Sequence, residues 1–194
     1  MKHTIQQELH GVLIFIAVLW GVYVLDWIVP GQFANWGIVP RTLWGLVGIP
    51  LSPFIHDGLG HLLSNTIPLC ILLMLLAGSR VRSWETVTEI ILLGGALLWV
   101  FGRPATHVGA SLLVYGLIVF LIVSGYREKR LVPILVAILV GFLYGTTLLW
   151  GVLPTIGAHV SWDGHLCGAI AGGLLGYFSV GKQSVTASQP ATSD

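Results

Sequence analysis

The chain has 194 residues, of which 55% are hydrophobic and only 9% charged, against about 25% charged in a soluble domain, so lipid must be the solvent for most of it. A formal net charge of +1, with the nine Lys and Arg scattered along the chain, excludes a nucleic-acid partner, which would need a basic patch. Because each span consumes about 20 apolar residues, the length holds six helices with short connections and no separate soluble domain.

Taken in order, apolar runs fall at about residues 11 to 30, 59 to 77, 86 to 101, 109 to 125, 131 to 150 and 162 to 180. The expected architecture is therefore all-α: a polytopic bundle of six transmembrane helices over residues 1–180, followed by a polar, Pro-containing tail over 181–194 of disordered composition. The first run lacks a small-residue cleavage site after a short apolar core and is read as a helix, not a removable signal. Between the first and second runs lies a connection of roughly 26 residues carrying Trp36 and Trp44 among Gly and Pro. Loops of that length are usually functional or partly structured, and the tryptophans suggest the interface. Cys70 and Cys167 lie in apolar runs without metal-ligand spacing and read as packing residues, so neither a disulfide framework nor a metal site is expected.

Lys2, Arg80, Arg82, Arg127, Lys129, Arg130 and Lys182 fall on one side of the six-span layout, and Arg41 and Arg103 on the other. That bias of seven to two puts both termini in the cytoplasm. The second, fourth and sixth helices then all run from outside inward.

Polar groups within spans are costly and mark candidate sites. Asp26 and Glu89 lie near span ends and read as interfacial. His61 and Asn65, at i and i+4, share one face of the second helix. Ser111 follows Gly109 and Ala110 at the start of the fourth, with Tyr115 one turn further on the same face. His165 opens the sixth, and behind it Gly164, Gly168, Gly172 and Gly176 form a four-residue stripe that permits close backbone approach, with Gly168 on the face of His165. A lone Ser in such a helix usually bonds its own backbone, and a lone Asn or His is usually interhelical glue. Here all four lie in the first two turns of three parallel helices, on the order of 5 to 10 Å below the outer surface.

A serine hydroxyl needs a base, and imidazole is the usual one near neutral pH. Ser111 as nucleophile and His165 as general base form the minimum for acyl transfer. His61, Asn65 and the backbone amide of Ser111 are suitable donors to an oxyanion. Asp163, two residues before His165, should face elsewhere, so a dyad is expected. His107 and His159 are rival bases, but both fall in connecting segments with no rigid element to aim them.

The segments HDGLGHLLSNTIPL (56 to 69), GRPATHVGASLLVYG (102 to 116) and GHLCGAIAGGLLG (164 to 176) resemble the three signatures of rhomboid intramembrane serine proteases, and residues 38 to 56 are similar to the loop preceding them in many bacterial members. The resemblance implies a compact six-helix fold, cleavage of transmembrane protein substrates near the membrane surface without a cofactor, the same roles for Ser111, His165, His61 and Asn65, and a Tyr115 ring stacked on the base. Two positions depart from the pattern. Leu112 stands where the common motif has glycine after the serine, which would narrow the substrate slot or shift the oxyanion backbone, and Arg41 follows Pro40 instead of a tryptophan. The weaker alternatives are a non-catalytic rhomboid-like binder or chaperone, expected to lack the serine or the base, and a solute transporter, expected to show an internal repeat. Short loops without a presequence favour a bacterial plasma membrane. Reporter fusions after Arg82 and Arg130 are expected to read cytoplasmic, and insertions near Trp44 and His107 external; a cytoplasmic signal at His107 would break the convergence of the four residues.

Overall fold

A computed structural model of the chain describes residues 5–29, 33–79, 83–154 and 160–187. Lys2, Arg80, Arg82 and the rival base His159 lie outside the described residues, as does the segment 188–194. Seven helices follow in order: α1 (Ile5–Ile28), α2 (Leu43–Leu51), α3 (Leu59–Ser79), α4 (Ser83–Phe101), α5 (Ser111–Glu128), α6 (Leu131–Gly151) and α7 (Trp162–Ala187). Among the described residues strand pairing is confined to one isolated bridge between Ile38 and His107. Five helices, α1, α3, α4, α5 and α6, are long and apolar enough to cross a membrane, so the chain is a multi-pass integral membrane protein.

The sixth expected span, α7, is not among those five, yet it lies along α5 for much of its length. A Cβ on Gly168 would strike the carbonyl of Leu112, one on Gly172 the carbonyl of Gly116, and one on Gly176 would sit 3.0 Å from the carbonyl of Phe120. The residue numbers rise together in all three pairs, so α5 and α7 run parallel, backbone against backbone. This is the close packing that small residues permit in lipid, where helices associate through dispersion and short contacts and not through water exclusion. At about 1.5 Å per residue, the 26 residues of α7 reach about 39 Å, enough to span. The helix continues to Ala187, past the boundary expected at residue 180.

Helix α5 is the axis of the bundle. It packs against α3, α4, α6 and α7, and Leu113, Leu117 and Ile118 are completely buried. By contrast α1 and α6 present most of their surface outward, where lipid is as good a partner as protein.

The long connection after α1 carries its own element. Helix α2 is nine residues long, too short to span, and Thr42 caps it by accepting a hydrogen bond from the amide of Gly45 at 3.0 Å. Arg41, which follows Pro40 where the resemblance has a tryptophan, has a left-handed backbone (φ 60°). Its guanidinium donates to the carbonyls of Val100 and Gly102 at 3.1 and 2.8 Å, a cation at the negative end of α4. Trp99 returns a bond from Nε1 to the carbonyl of Thr42 at 2.7 Å. Trp36 and Trp44 meet edge to face, 5.1 Å apart. Asp26, near the end of α1, accepts from the amide of Phe33 at 3.1 Å, and Glu89, in the second turn of α4, lies on its exposed side.

Candidate active site

One cavity of about 510 Å³ opens at the end of the bundle where α3, α5 and α7 begin, and Ser111, His165, His61, Asn65 and Tyr115 all line it. Ser111 is the first residue of α5, so its amide belongs to the group of N–H donors that a helix leaves without an intrahelical acceptor. Gly109 and Gly168 lie behind this wall. Gly109 has φ +104°, a conformation costly for a side chain, and a Cβ there would come within 2.5 Å of Cε1 and Nε2 of His61 and 3.6 Å of the Asn65 amide nitrogen. The two polar residues of α3 thus face the backbone that leads into Ser111. The amide of Asn65 also donates to the carbonyl of His61 at 3.1 Å, which fixes its rotamer.

His165 is held from two sides. Its Nδ1 lies 2.9 Å from the carbonyl oxygen of Gly151. A carbonyl only accepts, so the ring donates from Nδ1 and its neutral form keeps the lone pair on Nε2. Gly151 is the last residue of α6, so this carbonyl is one that the helix leaves unbonded, at its negative end. The Tyr115 ring lies parallel to the imidazole, 4.0 Å between centroids and 3° between planes, and the tyrosine hydroxyl donates to the carbonyl of Thr147, also on α6, at 3.0 Å. A side chain on Gly151 would overlap that hydroxyl.

Asp163 faces away from His165, as expected, into a buried cluster that sequence reasoning missed. It accepts from the backbone amide of Arg103 at 2.9 Å and from the guanidinium at 3.2 Å, while Arg103 also donates to the carbonyl of Val160 at 3.1 Å. His107 is 5% exposed and held through Ser161 Oγ at 2.7 Å from Nδ1 and the Arg103 carbonyl at 3.1 Å from Nε2. With Nε2 donating and Nδ1 accepting, neither nitrogen is free to serve as a base. The expectation that His107 lacks a rigid support is therefore corrected: it is firmly held, and its ring is used up by that support. The cluster ties the segment leading to Ser111 to the start of α7. Its signal in the sequence was only an arginine and an aspartate 60 residues apart.

His56 opens the segment 56 to 69 that carries the resemblance, but the sequence reading gave it no role of its own. Its Nε2 lies 3.5 Å from the amide of Ala110, and its ring meets that of His61 edge to face at 5.1 Å. Burial first, and the neighbouring His61 second, push its pKa down to about 4, so the ring is neutral near pH 7.

Leu112 requires a second correction. It does not narrow the cavity, because its side chain turns the other way into a cluster with Ile38, Ile49, Leu98 and Cys167. Gly94 on α4 leaves the room: a Cβ there would lie 2.8 Å from a Leu112 methyl.

A family model, the rhomboid domain, matches residues 40–182. The chain belongs to the rhomboid family. Among the relatives of this rhomboid, uncharacterized proteins of Mycobacterium bovis and Mycobacterium tuberculosis are 38% identical over 176 residues, covering 86% of this chain and 72% of theirs. An uncharacterized protein of Mycobacterium leprae is 37% identical over 175 residues, covering 86% and 69%. No solved structure matches this rhomboid chain.

Two outcomes follow. Leu112→Gly empties a packed site and is expected to lower stability by about 3 to 5 kcal/mol, seen as an earlier melt in detergent. For His56, the unfolded chain takes up a proton near pH 6.5 whereas the folded one resists it to about 4. Its contribution is therefore complete above pH 6.5 and lost as pH falls toward 4, by up to about 3 kcal/mol. The melting temperature should drop across that window in the native protein and stay flatter in His56→Gln.

Proposed function

We propose that this rhomboid-family protein is an intramembrane serine endopeptidase that cleaves transmembrane protein substrates close to the outer face of a bacterial plasma membrane, with both termini cytoplasmic. The observation that carries the reading is the contact that sets the His165 tautomer: the Gly151 carbonyl oxygen, 2.9 Å from Nδ1, accepts a hydrogen bond from Nδ1–H and leaves Nε2 as the acceptor, in a ring lining the same cavity as Ser111. That is the state a general base needs.

In this mechanism the Ser111 hydroxyl attacks the scissile carbonyl and gives its proton to His165 Nε2. The imidazolium is favoured by the negative end of α6 and the face of Tyr115. The oxyanion takes hydrogen bonds from the Ser111 amide, Asn65 and His61. His165 then protonates the leaving amine, and a water deprotonated by the same nitrogen releases the acyl group. Among the described residues the group at His165 Nδ1 is the Gly151 carbonyl and not a carboxylate, so a dyad oriented by a helix end is the form this mechanism takes.

Ser111→Ala and His165→Ala are expected to abolish both cleavage and fluorophosphonate labelling, while His107→Ala keeps most of the labelling per folded molecule. His61→Ala and Asn65→Ala should slow turnover by about 100- to 1,000-fold with KM little changed, because each removes one donor of several. Labelling that survives Ser111→Ala would move the nucleophile elsewhere, with Ser161 the first suspect. Early melting with full turnover in both α3 variants would leave His61 and Asn65 as structural residues only. A native protein that neither labels nor cleaves would point to a non-catalytic binder.

A further inference from the structure

Away from the candidate active site, where α5 ends and α6 begins, lies another cavity of about 460 Å³. Ile122, Tyr126 and Lys129 wall it from the α5 side at i, i+4 and i+7, and Ile134, Ala137 and Ile138 wall it from α6 at i, i+3 and i+4. Gly125 makes the seam between them. A Cβ there would strike the carbonyl of Pro133 and come within 2.8 Å of the Ala137 methyl, so the two helices close up while the larger side chains stand to one side as a groove. The groove opens laterally between two spans, with Tyr126 81% and Ile138 64% exposed.

We propose that this groove binds one anionic phospholipid, its phosphate paired with Lys129 and an acyl chain laid along Ile122, Ile134 and Ile138. No chemistry at Ser111 enters into it.

Charge, depth and size all favour that occupant. Lys129 is the one charged residue among the six that line the groove. Residues 127–130 hold three cations and one carboxylate: Arg130 is exposed beside Lys129, Arg127 lies over the Tyr177 ring of α7, 3.8 Å from its centroid, and Glu128 does not line the groove. Basic pockets between spans near the cytoplasmic surface are where anionic headgroups are held, and the basic bias of the loops puts this end of the bundle there. From Ser111 to Glu128 the 18 residues of α5 cover about 27 Å, close to the roughly 30 Å of a hydrocarbon core. The Lys129 ammonium therefore reaches headgroup level, while the wall back to Ile122 lies beside acyl chains. The volume is that of a small-ligand site, about 300 to 1,000 Å³. Lys129 also holds a left-handed backbone (φ 52°), which helix ends usually give to glycine. Lys129→Gly thus removes the cation while easing the backbone.

The test is thermal unfolding and native mass spectrometry of the purified protein in detergent, titrated with phosphatidylglycerol, phosphatidylcholine or glycerol phosphate. Phosphatidylglycerol should raise the melting temperature saturably and stay bound in preference to phosphatidylcholine, and glycerol phosphate should do neither. Without lipid, Lys129→Gly should melt no earlier than the native protein, yet bind phosphatidylglycerol about fivefold more weakly, the effect of one cation near a membrane surface. Lys129→Glu should lose the preference for the anionic lipid, Ile138→Trp should block the groove and lose retention of lipid, and Arg127→Ala should keep both. A preference that survives Lys129→Glu, or that is lost in Arg127→Ala alone, would overturn the proposal. Equal protection by glycerol phosphate would overturn it in favour of a site for a free anion. An Ile138→Trp protein that changes its oligomeric state but retains lipid would make the groove a contact between copies of the chain instead.

Discussion

The parallel contact of α5 and α7 is the constraint on which the site depends. Two antiparallel helices would put their first turns at opposite surfaces. Two parallel helices separated by ordinary side chains would sit about 8 to 10 Å apart, and with glycine on one of them they come closer. Gly168 against Leu112 and Gly172 against Gly116 set both direction and separation. The consequence is that the first residue of α5 and the fourth of α7 open onto one cavity. In lipid the contact has no hydrophobic drive behind it, so its strength comes from complementarity of the two backbones.

Around that pair the remaining elements act mainly as clamps, and each clamp uses a group that a helix end leaves over. The terminal carbonyl of α6 fixes the proton on His165. The carbonyls at the end of α4 take Arg41 and so hold the loop before α2. The Arg103 and Asp163 pair locks the segment before Ser111 onto α7. A membrane helix must satisfy its backbone internally or at its ends, and here the ends double as the scaffold of the site.

Much of this was legible in the residues. Apolar runs located the inner four spans to within three positions and missed the outer ends of α1 and α7 by six and seven residues, because a bilayer demands about 20 apolar residues whatever the fold but sets no limit on a helix beyond them. The four-residue glycine stripe announced the α7 contact, and the i to i+4 spacing of His61 and Asn65 announced a shared face. Side-chain direction at helix starts was harder. Leu112 follows the serine in sequence yet points to the opposite side of α5, since adjacent helical residues are about 100° apart, and only the vacancy at Gly94 on another helix explains where it goes. The Gly151 carbonyl was out of reach for a different reason: a backbone atom leaves no residue-type signature, so the orienting partner of His165 could be inferred only as something other than an acid.

Helix α6 is anchored unevenly. Its length is mostly exposed, with Pro133 and Val140 as its buried residues, while its final turn carries Gly151, whose carbonyl bonds His165, and Thr147, whose carbonyl holds Tyr115. A sideways shift of about 1 Å at that tip would stretch the 2.9 Å bond past the range of a hydrogen bond and let the imidazole turn. Displacement of the α6 tip would therefore free the His165 ring from the acceptor that sets its tautomer, so the orientation of that imidazole is tied to the seating of a helix whose outer face is mostly exposed.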